Sequence, residues 1–176
     1  MAYSVGCMVR GLCQNVLFAL SLCHFLTYLD ISMSVNNDAC RTHIRVRYAE
    51  TDKMGVAYNS HYLTWFEVGR TELLRNLGMT YASLEKMGFM LPLIEAGVKY
   101  MKPVCYDDVL TVISSMAGKP GVRLRINYEI RRNGDTAATG FTEHAFTNVH
   151  LQPVKPPKII RDKFIDLWKK SVYGKE

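Results

Sequence analysis

The chain has 176 residues, 48% of them hydrophobic and 22% charged, with a formal net charge of +6. Those values fit one globular domain with a sizeable core, and the positive balance suits a polyanionic ligand and nucleic acid equally. The sequence lacks a P-loop, a dinucleotide-binding glycine fingerprint, a Gly-x-Ser-x-Gly elbow, a CxxC pair and a Cys/His cluster of zinc spacing, which argues against those chemistries.

The N-terminal part is apolar. Residues 11–29 carry no formal charge, with Arg10 before them and Asp30 after. Three readings stand: a signal or targeting segment, an extra helix of the folded protein, or an over-extended frame whose start is Met33. Gln14, Asn15 and His24 make it a poor membrane span. The expected organisation is therefore a 1–32 extension followed by a 33–176 domain. Cys7, Cys13 and Cys23 lie in the extension, and Cys40 and Cys105 in the domain. Five cysteines that do not pair evenly suggest free thiols in a reducing, cytoplasmic compartment, unless residues 1–32 target or anchor the chain.

Within the domain, Thr42–Tyr48 alternates, with Ile44, Val46 and Tyr48 on one face, and predicts a half-buried strand. A turn over Asp52–Gly55 follows. A helix is expected from about Asn59, which suits its N-cap, and Gly78 suits its C-terminal cap. Leu63, Phe66, Arg70, Leu73, Leu74 and Leu77 recur at helical spacing. Arg70 interrupts that stripe, and an ion pair of Glu67 with Arg70 is expected at i,i+3. A short helix over Tyr81–Met87 comes next. Strands are then expected over Met90–Met101, Val109–Met116, Val122–Arg131 and Thr136–Val149, with Asn133-Gly134 as a hairpin turn. Arg161–Lys170 reads as a terminal helix. One long helix followed by consecutive antiparallel strands gives an α+β class.

Asp52 is the best candidate for chemistry. It also fits a turn residue bonding its own backbone. A carboxylate set across a short loop from a helix start can attack a carbonyl or activate water, while free N–H groups of the helix start hold an oxyanion. Asn59 and the amides near Gly55–Asn59 are the corresponding candidates for that hole. An amide side chain cannot serve as the base.

The run Arg45, Val46, Thr51, Asp52, Gly55, Val56 and Asn59, continued by Tyr62, Trp65, Phe66, Glu67 and Arg70, resembles the active-site segment of the hotdog-fold acyl-CoA thioesterases. The resemblance is to the 4-hydroxybenzoyl-CoA thioesterase/YbgC-like branch. Tyr100, Pro103, Tyr106 and Asp108 match that family's second signature. The resemblance covers about residues 42–165. One position departs, since YbgC-branch members often carry His where this chain has Asn59.

The resemblance implies an antiparallel sheet curled around one long central helix. It implies hydrolysis of an acyl-CoA, or an acyl-carrier-protein thioester, to a free acid, with no metal or redox cofactor. Asp52 would be nucleophile or general base. Tyr48 would lie near the reaction, and Gly55, Val56 and Tyr58 would line the substrate. A homodimer or homotetramer is implied, with no role for nucleic acid or, for the domain, for a membrane. The stripe of Arg123, Arg125, Arg131 and Arg132 is either a solvated strand face or a contact for the CoA phosphates. The rival functions are a nucleic-acid binder using the basic stripe, which lacks the interleaved aromatics of a single-strand reader, a non-catalytic acyl-CoA-binding hotdog protein, and a hotdog dehydratase or hydratase. The latter chemistry usually wants a His in the Asp52–Asn59 loop, and none is present.

Overall fold

The computed structural model describes residues 40–173. The expected boundary between residues 32 and 33 lies outside that range. In chain order the elements are β1 (Cys40–Arg45), a 3-10 turn (Tyr48–Glu50), α1 (His61–Asn76), α2 (Tyr81–Lys86), β2 (Leu93–Tyr100), β3 (Val109–Met116), β4 (Arg123–Arg132), β5 (Asp135–Ala145) and α3 (Lys158–Tyr173). The five strands form one sheet in the order β1-β3-β4-β5-β2, and every neighbouring pair is antiparallel. The α+β class expected from the sequence is the class observed.

Alternation fixes which face of the sheet is buried. Leu110, Val112, Ser114 and Met116 of β3 point inward, as do Leu124, Ile126, Tyr128 and Ile130 of β4. A one-residue slip would turn each set to solvent, so the period-two pattern sets the register. The Asn133-Gly134 turn closes the β4–β5 hairpin with both residues at positive φ, 52° and 86°, as that tight turn requires.

Helix α1 lies across the inner face of the sheet. Tyr62, Trp65, Phe66, Leu73 and Leu74 are its buried apolar side chains. A Cβ on Gly69 would stand 2.5 Å from Ser114 Oγ and 2.8 Å from Val112 Cγ1. Gly69 therefore admits β3 side chains against the helix. A Cβ on Gly140 would meet the Gly97 carbonyl at 2.4 Å and the Phe66 ring at 2.6 Å. The helix thus packs directly on β3 and β5, with the Phe66 ring stacked on Tyr128 at 4.3 Å.

Several expectations are corrected. The first strand ends at Arg45, and the chain then enters a 3-10 turn. Val46 is buried, but Tyr48 is 78% exposed and packs edge-on against Tyr106. Leu63 faces solvent, and Tyr62 and Trp65 take the core positions instead. Arg70 does not pair with Glu67; its Nε donates to the Tyr81 hydroxyl. Helix α3 is longer than expected at both ends.

Candidate active site

The segment between β1 and α1 is built around a buried carboxylate. Glu50 is 3% exposed. Its Oε2 accepts the Arg47 backbone N–H at 2.8 Å, and its Oε1 accepts the Arg47 guanidinium at 2.9 Å and the Trp65 indole N–H at 3.3 Å. Its own carbonyl accepts the Tyr58 N–H at 2.8 Å. One residue thereby ties the 3-10 turn to α1 and to the strand-like segment that follows Asp52. Burial by itself would raise the Glu50 carboxyl. The Arg47 and Trp65 hydrogen bonds outweigh it and hold the carboxyl below the usual glutamate value.

Asp52 follows on this clamp and opens a tight turn. Its N–H donates to the Val56 carbonyl at 2.9 Å, and its carbonyl accepts the Gly55 N–H at 2.9 Å. Its Oδ1 accepts the Met54 N–H at 2.8 Å. The carboxylate therefore fills the backbone-bonding turn role that its position suggested. That role occupies one oxygen only; among the described residues no donor reaches Oδ2. Gly55, at φ 76°, turns the chain where a side chain would be strained.

Asp52 lines a cleft of about 380 Å³ together with Val56, Tyr58, Asn59, Tyr62, Tyr100 and Lys102. Of the residues singled out in the sequence, the cleft gathers Asp52, Val56, Tyr58 and Asn59. Gly55 shapes the turn without lining it. Tyr48 points away to Tyr106. Arg123 and Arg125 lie on β4, away from the cleft lining, and both pair with Glu143, at 3.1 and 3.5 Å. The Arg125 guanidinium also lies 3.7 Å over the Phe141 ring. Arg131 pairs with Glu129 and Arg132 with Asp108. The basic stripe is thus largely neutralised by its neighbours on the sheet.

The helix start differs from expectation. The N-cap is Ser60, in helical conformation and without a side-chain cap bond, and α1 begins at His61. Asn59 is not the cap. It sits in a turn closed by the His61 N–H on the Tyr58 carbonyl at 3.0 Å. Its carbonyl accepts the Tyr100 hydroxyl at 3.1 Å. The amides of Gly55, Ala57 and Tyr58 are all consumed, by Asp52, Val104 and Glu50 respectively. Among the described residues, the N–H groups of Val56 and Asn59 are the two in the 55–59 run that find no acceptor. Both residues line the cleft beside Asp52.

Sequence reading missed Glu50 and Lys102. Glu50 looks like one more polar residue in a turn. Its spacing of three from Arg47 was the available signal. Among the described residues no group of three His, Cys, Asp or Glu side chains gathers to hold a metal, and no helix is long and apolar enough to cross a membrane.

A five-stranded antiparallel sheet packed on one long helix is the hotdog architecture. The comparisons agree. Residues 46–164 match the model of the thioesterase-like superfamily, and the chain belongs to that family. It is 40% identical to the Bacillus subtilis protein YneP over 87 residues, 49% of this chain and 63% of that protein. It thus spans a little under two thirds of YneP. It is 28% identical to the acyl-CoA thioesterase YbgC of Haemophilus influenzae over 125 residues, 69% of this chain and 90% of that protein. Among solved structures it resembles a DHNA-CoA thioesterase from Staphylococcus aureus at 33% identity and TM-score 0.65, over 77% of this chain and 89% of that one.

Proposed function

We propose that this protein hydrolyses an acyl-CoA to a free carboxylic acid and CoA, with Asp52 supplying the reactive carboxylate. The observation that carries the reading is the cleft itself. It sets an aspartate with one unengaged oxygen beside two backbone N–H groups, of Val56 and Asn59, that have no acceptor. The carboxylate Oδ2 attacks the thioester carbon and expels the CoA thiolate, leaving an acyl-aspartyl anhydride that water hydrolyses, or it takes a proton from a water that attacks that carbon and displaces the thiolate. The free N–H groups stabilise the oxyanion that develops on the thioester oxygen. The acyl-CoA thioesterase YbgC and the DHNA-CoA thioesterase support the reaction class.

A homodimer belongs to the same reading. β2 is an edge strand, and Leu93, Ile94 and Tyr100 on it are exposed together with the adjoining Met101. A free strand edge with apolar side chains favours pairing with a second copy. The test is release of free thiol from a panel of aromatic, short-chain and medium-chain acyl-CoAs, read with a thiol-reactive dye, with the mass in solution measured alongside. Thiol release that depends on Asp52 supports the reading. Tight acyl-CoA binding without release would replace it with that of a non-catalytic binder.

A further inference from the structure

Among the described residues that line the cleft, Lys102 is the one cation and Asp52 the one anion. The backbone fixes the place of Lys102. The Met101 and Lys102 N–H groups both donate to the Ala137 carbonyl of β5, at 2.9 and 3.0 Å. On either side of Lys102 the chain is tied to the segment that follows Asp52. The Tyr100 hydroxyl donates to the Asn59 carbonyl at 3.1 Å, and the Ala57 N–H donates to the Val104 carbonyl at 2.7 Å. Lys102 therefore stands between two fixed points, on a short segment that runs alongside residues 57–59. Its ammonium bonds Asp135 at 2.8 Å, and the two side chains are 49% and 68% exposed. An ion pair so exposed is weak, and the lysine stem is flexible. The ammonium can exchange Asp135 for an anion that forms in the cleft.

An acyl-CoA brings two kinds of negative charge to such a cation, its phosphates and the sulfur that leaves. The size of the cleft decides between them. At about 380 Å³ it is at the small end of the range for ligand sites, roughly 300–1,000 Å³. It has room for an acyl group and the thioester, but not for the nucleotide end of CoA as well. A cation among its lining residues therefore meets the reacting end. Both routes open to Asp52 break the C–S bond and send its electron pair to sulfur. The attacking oxygen, the oxyanion and the sulfur occupy different corners of the tetrahedral carbon. The 52–59 loop supplies the carboxylate and the two free amides, and the 100–103 segment supplies the cation.

We infer that Lys102 is a catalytic residue of this cleft, whose ammonium hydrogen-bonds the CoA sulfur as the C–S bond breaks and stabilises the departing thiolate. The inference rests on the thioesterase reading above. The proton stays on nitrogen, because a lysine ammonium ionises near about pH 10.4 and a thiol such as that of cysteine near about 8.5. The thiolate leaves as the anion, held by a charge-assisted hydrogen bond until it reaches solvent. Lys102 then returns to Asp135 with its charge unchanged.

The experiment varies the leaving thiol on the full chain. The acyl group is the one whose CoA thioester the wild-type protein cleaves fastest. It is presented on CoA, on N-acetylcysteamine, which keeps the alkyl thiol end of CoA without its phosphates, and on 4-nitrothiophenol, a far more acidic thiol that leaves without help. Lys102→Gln is expected to lower kcat/KM roughly 10- to 100-fold on the first two alike, the scale of one charged hydrogen bond. On the nitrothiophenol thioester it is expected to change kcat/KM little, and Lys102→Arg is expected to restore part of the loss. Melting temperatures are measured alongside, and Lys102→Met takes the place of Lys102→Gln should that variant not fold. Equal loss on all three thioesters overturns the inference, as does no loss on any. Loss on the CoA thioester alone also overturns it, and assigns Lys102 to the phosphates. If the wild-type protein cleaves no acyl-CoA, the thioesterase reading itself fails, and the role of Lys102 falls with it.

Discussion

The Trp65 indole N–H donates to the buried carboxylate of Glu50 at 3.3 Å, joining the core face of α1 to the turn that carries Asp52. That carboxylate also accepts two N–H groups of Arg47. Glu50→Gln keeps the shape but turns an amide NH2 toward donors, and leaves at least one of them unsatisfied. An unsatisfied buried polar group costs about 1–3 kcal/mol. The expected outcome is a loss of that order in chemical denaturation, together with a fall in turnover as Asp52 loses its fixed position. A Glu50→Gln protein with wild-type stability and wild-type kcat would remove Glu50 from the positioning of the loop.

Asp52→Asn separates the two jobs of that side chain. The amide Oδ1 still accepts the Met54 N–H, so the turn is retained. The second oxygen becomes an NH2 that neither attacks nor takes a proton. Thioesterase turnover is expected to fall by on the order of 10²–10⁴-fold, with the melting temperature little changed. Near-wild-type turnover would take Asp52 out of the chemistry. Single turnover in ¹⁸O-labelled water then distinguishes its roles. Label in the released acid alone supports general-base action, and label in the Asp52 carboxylate supports the anhydride.

Much of the architecture is legible in the sequence because its signals are local. Val109–Met116 alternates and is a strand over that same range. Asn133-Gly134 closes the expected hairpin. Asp52 and Gly55 mark the turn, and Asp52 lines the cleft. What escapes is set by contacts distant in sequence or by a small change in period. Tyr48 continues the alternation of Ile44 and Val46, but the backbone changes to a 3-10 turn with a period of three residues, which swings the ring outward. Asn59 has the right chemistry for a cap, yet the Tyr58–His61 turn delays the helix, an ordinary boundary shift. Arg70 looks paired with Glu67 from spacing alone. Its actual partner Tyr81 lies on α2, eleven residues on, which no spacing within one helix can point to.

His144 gives a pH-dependent test of the core. It is 1% exposed on β5, with Nδ1 3.1 Å from the Leu91 carbonyl and Nε2 3.0 Å from Thr142 Oγ1. A carbonyl accepts only, so Nδ1 carries the proton and Nε2 accepts from Thr142. The donors then run in one direction: Tyr128 to Thr142, Thr142 to His144, and His144 to Leu91. Burial, followed by the Arg70 charge, lowers the His144 pKa from 6.5 to about 4. The unfolded chain therefore binds this proton more readily than the folded one. Stability from this group is complete above about pH 6.5 and is lost as the pH falls toward 4, by roughly 3 kcal/mol in all. Chemical denaturation across that window is expected to show the slope in the wild-type protein and a flatter one in His144→Gln. Equal slopes would contradict a neutral His144.

Asn59 tests the oxyanion assignment. Its side chain makes no hydrogen bond among the described residues and does not cap α1, so Asn59→Ala is expected to leave stability within about 0.5 kcal/mol. The backbone N–H survives in Asn59→Ala, and with it the proposed hold on the oxyanion. Turnover should then drop less than in Asp52→Asn. Asn59→Pro removes the N–H. It is expected to cut kcat by on the order of 10²–10³, the scale for one oxyanion-hole donor. Proline also restricts Tyr58 before it, and the Tyr58 N–H is bonded to Glu50, so stability must be measured in parallel. The decisive comparison is kcat of the two Asn59 variants, each corrected for its folded fraction. If Asn59→Ala is as inactive as Asp52→Asn while fully folded, the side-chain amide is the critical group. The backbone hole would then give way to a mechanism in which that amide orients the water or the thioester.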